Sequence, residues 1–556
     1  MRKIVNVSIV GLAVLLAFLP VPPQVVAQTP TVILEGGTLI DGTGRNPINN
    51  TVVVIEGNRI KSVGTKGQVS YPSNARVINT DGRTILPGLV DGHVHLDIYY
   101  PSYMAQMLLH YGVTTMADLN NQTDWILLQR EALNSGKVKG PRMFVSGPAA
   151  DGPTSTTNTD ERVIVNALRT PEEARAYVRT LVAKGVDMIK TNYSLTYDQL
   201  AAIVDEAKKA GVPVVGHSRN IRKAADLGLK YAEHMNTIAW ALADDDMAYE
   251  RSRTEGFRAE SQMDPSKFPA LIQFMVKQGV FINPTFIANW GAASPRAQQM
   301  GAAAKEILKD PTLVAIVPAA AQQAWMQRAS NRGADVEGFK KVQEFIRQYV
   351  NAGGKITAGT DDGGAILPGL SLHYEMQMMT DAGVPPMKVI QAATLWAAES
   401  FGQSKNIGSI EPGKLADFTI IEGNPLNDIT ATRNVKMVIK DGKVMDTAYD
   451  PNALTRVPRP FTSVPHLSAI SPAVTKEGTR MVTLQIDGVG FSSKSIARFD
   501  NRDLPTQFVS ATKLTATVDA SLLQKAGSYA VYVVNVGADG HGGGASNNTF
   551  LFVNNN

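Results

Sequence analysis

Eight short apolar stretches, most of them followed by a longer helix-compatible stretch, recur between residues 86 and 401. The expected strands are residues 86–94, 113–120, 142–147, 187–191, 212–217, 231–235, 280–286 and 355–361, with helical stretches such as 171–183 and 196–210 between them. Strand–helix alternation repeated eight times over roughly three hundred residues predicts an α/β fold of the (β/α)8 barrel kind. An open doubly wound sheet is the alternative, but no glycine-rich dinucleotide fingerprint follows any of these strands. Residues 240–274 and 290–350 are long, helix-rich insertions after strands six and seven. Loops that follow barrel strands border the catalytic face, so one reading of these insertions is a lid.

Shorter β-like pieces flank the barrel. Residues 31–34, 51–55 and 59–63 are separated by Gly36-Gly37, Gly42-Thr43-Gly44 and Glu56-Gly57-Asn58, and the same texture returns at 417–421, 435–439 and 441–444. We expect one small β-sandwich domain made from residues 28–86 and 407–448, with the barrel, residues 87–406, inserted between the pieces. Residues 449–464 carry Pro451, Pro458 and Pro460 and read as a linker. From 465 to 556 the pattern is all β, and the glycine-rich run 537–544 lacks the helix and Lys-Ser/Thr of a phosphate loop.

At 556 residues, with 44% hydrophobic and 19% charged residues, the chain can bury ample core over two or three domains without the disulfides that its zero cysteines exclude. Net charge is +4, of which Arg2 and Lys3 supply two, and no basic stripe marks a nucleic-acid partner. Arg2-Lys3, the apolar run 9–19, the prolines at 20, 22 and 23, and Val25-Val26-Ala27 read as a signal peptide over residues 1–27. A membrane anchor is the alternative, but the run is short for a span and ends in prolines. The expected destination is periplasmic or extracellular, with no membrane span after cleavage.

His93 and His95 stand one residue apart at the end of the first strand, so their side chains share a face. His217 and His234 end strands five and six, Lys190 ends strand four and Asp361 ends strand eight. In barrel enzymes that end holds the active site, and imidazole with carboxylate suits zinc or a similar divalent ion. Four histidines and an aspartate exceed what one catalytic zinc takes, so two ions are the economical reading.

The motifs 87–95 (Pro-Gly-Leu-Val-Asp-Gly-His-Val-His), Gly112-Val113-Thr114-Thr115, Ile189-Lys190, Gly216-His217, Glu233-His234, Gly359-Thr360-Asp361 and Gly413-Lys414-Leu415-Ala416-Asp417 together resemble the amidohydrolase superfamily. The resemblance is to its imidazolonepropionase-like and Xaa-Pro dipeptidase-like branch, and it spans residues 31 to about 447. It implies one ion on His93, His95 and Asp361, a second on His217 and His234, and a bridging Lys190 carboxylated by carbon dioxide. A buried lysine loses its proton readily, and a carbamate replaces a repelled ammonium with an anion. The implied reaction is metal-dependent hydrolysis of an amide, of peptide or N-acyl amino acid type, with Asp361 moving the proton. Lactonase or phosphotriesterase chemistry could use the same centre, and a non-catalytic exported binding protein is the rival from another class.

Many members of that branch carry a second histidine after the strand-five histidine and a Gly-Gly-His loop after strand three. Here those positions read His217-Ser218-Arg219-Asn220 and Gly147-Pro148-Ala149-Ala150-Asp151. Arg219 could clamp a substrate carboxylate or be a surface arginine, and the sequence leaves both open. His373 and Glu375, in the last barrel helix, are expected to be structural. Ile470-Ser471-Pro472, Gly488-Val489-Gly490-Phe491 and 514–518 resemble an IPT/TIG immunoglobulin-like module, the kind that binds or spaces, here with a surface or a glycan as its partner. The other expected partner is a small-molecule or short-peptide substrate, and the oligomeric state stays open, homo-oligomers included. If the leader is read correctly, N-terminal sequencing of protein from its native host will start at or near Gln28. Cytoplasmic protein retaining Met1 would contradict it.

Overall fold

The structure is a computed structural model. It describes residues 31–96, 101–152, 165–243, 248, 251, 258–327, 335–363, 366–452, 465–500, 502–535, 546 and 549–555. The leader, most of the linker and the glycine-rich run 537–544 lie outside the described residues.

The first piece of chain forms β1 (Thr31–Leu39), β2 (Ile48–Glu56), β3 (Arg59–Thr65), β4 (Arg76–Asn79) and β5 (Arg83–Pro87). β1, β2 and β3 pair as an antiparallel meander, and β4 and β5 lie parallel to β1. The distant piece returns as β16 (Phe418–Glu422), β17 (Val435–Lys440) and β18 (Lys443–Val444), and β16 pairs antiparallel with β5, Thr419 opposite Leu86. Eight strands thus join in one sheet, and the two-piece domain of the sequence is real at the level of hydrogen bonds. Its alternation places Ile33, Val52 and Val54 in one apolar cluster, and Leu34, Val53 and Ile55 in another with Ile85, Phe418 and Ile439.

Between these pieces run the barrel strands. They are β6 (Leu89–Val94), β7 (Val113–Asp118), β8 (Arg142–Val145), β9 (Ala149–Asp151), β10 (Val165–Ala167), β11 (Ile189–Thr191), β12 (Val214–Gly216), β13 (Tyr231–Glu233), β14 (Phe281–Asn283) and β15 (Lys355–Ile356). All eight expected strands are present, each shorter than its apolar stretch. Pairing is parallel throughout, in the segments β6-β7-β8, β10-β9-β11-β12 and β13-β14-β15. Strand three is split. Gly147 takes φ +67 beside Pro148, so β8 serves strand two and β9 serves strand four. The barrel closes between its first and last strands, where Gly92 N–H donates to Ala358 O at 2.9 Å and Asp361 N–H to His93 O at 2.8 Å.

The helices carry the end signals that physics demands. Pro171–Lys184 is capped by Thr170, starts with proline and stops at Gly185 in the left-handed region. Tyr197–Ala210 has a capping box between Thr196 and Gln199 and stops at Gly211. The two long insertions are helical where described, with Phe268–Gln278 and Val336–Asn351 burying one face each. The barrel is fastened to the sheet domain by Arg142, which pairs with both Asp417 and Asp441, and by Lys440, whose Nζ donates to the carbonyls of Leu133 and Gly140.

Residues 449 and 450 still pack on the barrel, Tyr449 stacking on His110 and Asp450 bonding Gln106. The C-terminal strands form two sheets around a core drawn wholly from residues 467–553, which agrees with the expected all-β module. Arg169 reaches this module, pairing with Asp500 at 2.6 Å and lying over the Tyr529 ring. Because the module's core is its own, a chain ending near residue 460 is expected to fold, to retain its metal and to keep turnover on a soluble substrate within about twofold. Circular dichroism and metal analysis of that chain check this, and loss of either would contradict the boundary.

Candidate metal centre

Six side chains singled out from the sequence leave the C-terminal ends of five different strands and meet. β6 delivers His93 and His95, β11 Lys190, β12 His217, β13 His234 and β15 Asp361. His93 Nε2 lies 3.2 Å from His95 Nε2 and 3.2 Å from Asp361 Oδ1, and His95 Nε2 lies 3.0 Å from that same oxygen. Ligand atoms each about 2.0–2.2 Å from a zinc ion sit about 3 Å from one another, so this triad has the spacing of a cation site. The second oxygen, Asp361 Oδ2, faces the other way, 3.7 Å from His234 Nε2. His234 stacks on His217, with ring centroids 4.9 Å apart.

Each of three imidazoles is held by its Nδ1, and for His93 and His217 the partner fixes the tautomer. His93 Nδ1 donates to Glu233 Oε2 at 2.8 Å, and His217 Nδ1 to Asn192 Oδ1 at 3.0 Å. His234 Nδ1 meets Thr285 Oγ1 at 2.5 Å. That hydroxyl spends its own proton on Pro284 O, so it accepts from the imidazole. Asn289 Nδ2, which can only donate, also lies 3.2 Å from His234 Nδ1, so that ring's tautomer is set by the competition between the two partners. With Nδ1 protonated in His93 and His217, the Nε2 of each presents a bare lone pair to the centre. This is how protein scaffolds prepare histidines for metal.

Charge tells the same story. Desolvation lowers the His93 imidazole to about 4 and holds His217 well below the usual range. Burial alone would raise Asp361, but His93, the His95 hydrogen bond and His234 outweigh it and keep the carboxyl well below the carboxylate range. Burial pulls the Lys190 ammonium down against Glu233 and Asp361. Lys190 is 2% exposed, and among the described residues its Nζ has no hydrogen-bond partner; nor do His217 Nε2 and Glu233 Oε1. Buried orphans are costly, and the bare His217 Nε2 is the kind of lone pair that a bound cation would satisfy.

The backbone is strained at the same place. His234 (φ 60), Thr285 (φ 44) and Asp361 (φ 54) occupy the left-handed region without being glycine. Gly216 takes φ +127, and a Cβ there would lie 2.4 Å from Thr191 O and 3.0 Å from Lys190 Cδ. Glycine before His217 is therefore required by its own backbone conformation and by the close approach of the Thr191 main chain on the neighbouring strand.

Residues 84–445 match the amidohydrolase family. The chain belongs to the amidohydrolase family. An imidazolonepropionase from Geobacillus kaustophilus is 23% identical over 440 residues, covering 71% of this chain and 92% of its own. An adenine deaminase from Listeria monocytogenes is 22% identical over 485 residues, covering 84% of this chain and 67% of its own. A solved Xaa-Pro dipeptidase with methionine bound in its active site is 26% identical at a TM-score of 0.54, covering 75% of this chain and 100% of that one. Phenylurea hydrolase B, at 24% identity and a TM-score of 0.57, shares the fold over 77% of this chain and 100% of its own. This amidohydrolase is a metal-dependent hydrolase acting on carbon–nitrogen bonds.

Several residues of the site escaped sequence reasoning. Glu233 stood in a quoted motif without a role, and Asn192, Thr285 and Asn289 were not singled out. Asn192 lies two residues after Lys190, so strand alternation could have placed it on the lysine's face. Arg219 donates from Nε to Tyr193 O at 3.0 Å and from Nη2 to Ser194 O at 2.9 Å, bracing the loop after β11. That loop carries Tyr193, which stacks on His217 at 4.2 Å and meets Trp240 edge-on. His373 and Glu375 brace the scaffold, the former between Thr432 and Tyr111 and the latter on the N–H groups of Phe286 and Ile287.

Removing the Asn192 acceptor frees the His217 tautomer. Asn192→Ala is expected to weaken divalent-ion retention roughly ten- to a hundredfold, the usual cost of losing an outer partner of a metal-binding histidine. Chelator competition measures it, and retention equal to the parent's would contradict the tautomer argument.

Proposed function

We propose that this protein is an exported binuclear amidohydrolase that cleaves the amide bond of a dipeptide or an N-acyl amino acid. The observation that supports it most is the division of labour at Asp361. One oxygen faces His93 and His95 and the other faces His234, with Lys190 Nζ buried and without a hydrogen-bond partner among the described residues. In this reading His93, His95 and Asp361 hold one ion, His217 and His234 hold the other, and a carboxylated Lys190 bridges them. When bound, the ions, zinc by the donor set, polarise a carbonyl and acidify water.

The protein's own part follows from the geometry. Asp361 is ionised and sits between the imidazoles, placed to accept a proton and pass it to the departing amine. The Nε2 atoms of His93 and His217, bare in the tautomer that Glu233 and Asn192 set, would take a cation without losing a proton first. Tyr193 and Trp240 give the His217 side an aromatic wall, which suits an apolar side chain next to the scissile bond. Similarity to a Xaa-Pro dipeptidase favours peptide-like amides over other acyl groups. Export rests on residues 1–27, with periplasm or exterior as the destination.

The test is a panel of dipeptides, N-acyl amino acids, lactones and phosphotriesters offered to the metal-loaded full chain. Turnover should fall on the amides and vanish with chelation. Lys190→Ala should cut it by roughly a hundredfold or more, beyond the effect of an outer residue. Short carboxylic acids added to that variant should restore part of it by occupying the vacated bridge. Turnover confined to lactones or phosphotriesters would replace the proposed substrate class, and parent-like activity in Lys190→Ala would remove the bridge.

A further inference from the structure

Glu233 is a buried carboxylate beside the centre that the proposed ion sites leave unused. It is fully buried on β13. Its two oxygens have different fates. Oε2 accepts from His93 Nδ1 at 2.8 Å. Oε1 has no hydrogen-bond partner among the described residues and lies 3.9 Å from Lys190 Nζ, itself unpartnered. Two complementary orphans facing each other slightly beyond hydrogen-bonding distance, in a place with no exposure, ask for a reason.

We infer that Glu233 is a positioning residue serving both halves of the centre, one oxygen fixing the His93 ring and the other accepting the single N–H that Lys190 keeps once carboxylated. The inference rests on the carbamate reading above. In that step the neutral amine attacks carbon dioxide, a C–N bond forms, one nitrogen-borne proton leaves for solvent and one N–H remains on the carbamate. That N–H is buried and needs an acceptor, or it costs what any orphaned donor costs. Glu233 Oε1, 3.9 Å from Lys190 Nζ, is an acceptor without a hydrogen bond among the described residues. A carboxylate accepts at both oxygens, whereas an amide accepts at one end and donates at the other. Glu233 therefore ties the orientation of His93 to that of the lysine carbamate, which an amide of the same shape cannot do.

The experiment compares the full chain with Glu233→Gln after loading with zinc and 13C-bicarbonate. It reads the 13C carbamate resonance, the bicarbonate concentration needed to reach half its intensity, and ion retention against a chelator. Glutamine can still accept from His93, but it turns an NH2 group toward Lys190. The expected result is a carbamate signal in the parent, a bicarbonate requirement at least about tenfold higher in Glu233→Gln, and ions stripped ten- to a hundredfold more readily. Parent-like bicarbonate dependence and ion retention in Glu233→Gln would overturn the inference while leaving the binuclear reading standing. No carbamate in the parent itself would instead sink that reading, and with it this inference. Should Glu233→Gln fail to fold, Glu233→Asp decides. It keeps the charge on a stem too short to reach both partners, so an intermediate bicarbonate requirement supports positioning and a parent-like one refutes it.

Discussion

Everything at the mouth of this barrel depends on how the ring nitrogens of three imidazoles are held. An Nε2 without a proton or a partner, as at His217, is an expensive thing to bury. The chain sets the rings by committing Nδ1 of His93, His217 and His234 to Glu233, Asn192 and Thr285. Those partners come from β13, the end of β11 and the end of β14, so the lone pairs are aligned only when neighbouring strands are in register. Fold and chemistry are thus the same constraint seen at two scales.

The barrel's closure serves that constraint. Asp361 N–H bonds His93 O, and Thr360 bonds the buried Asp91 through both its amide and its hydroxyl. Desolvation raises the Asp91 carboxyl to about 7, which marks how dry the seam is. At this seam the chain accepts a left-handed aspartate, and at the ends of β13 and β14 a left-handed histidine and threonine. Strain of this kind persists only where packing over-determines it. Here it turns each side chain from the strand direction toward the centre.

Much of this was legible in the sequence because it is periodic. The eight strands, the two-piece sheet domain, the independent C-terminal core and the positions of His93, His95, Lys190, His217, His234 and Asp361 follow from alternation, spacing and strand ends. What sequence could not show is what depends on contacts between strands. Glu233 looked like a neighbour of a histidine, and only the fold sets it under His93. Thr285 needed its hydrogen bond to Pro284 before its role as acceptor was defined. Strand three read as one stretch, yet Gly147-Pro148 divides it between two neighbours. The bonds from Arg219 to the carbonyls of Tyr193 and Ser194 were likewise beyond sequence, which left that residue open between a substrate contact and a surface arginine.

The central claim is that these residues hold two ions joined through a modified lysine. Anomalous diffraction from crystals grown with zinc and bicarbonate tests it most directly. The account requires two ion peaks, one bonded by His93, His95 and Asp361 and one by His217 and His234, with density for a carboxylate extending Lys190 between them. Both ions present with an unmodified Lys190 turned away, or a single ion held apart from these histidines, would contradict it.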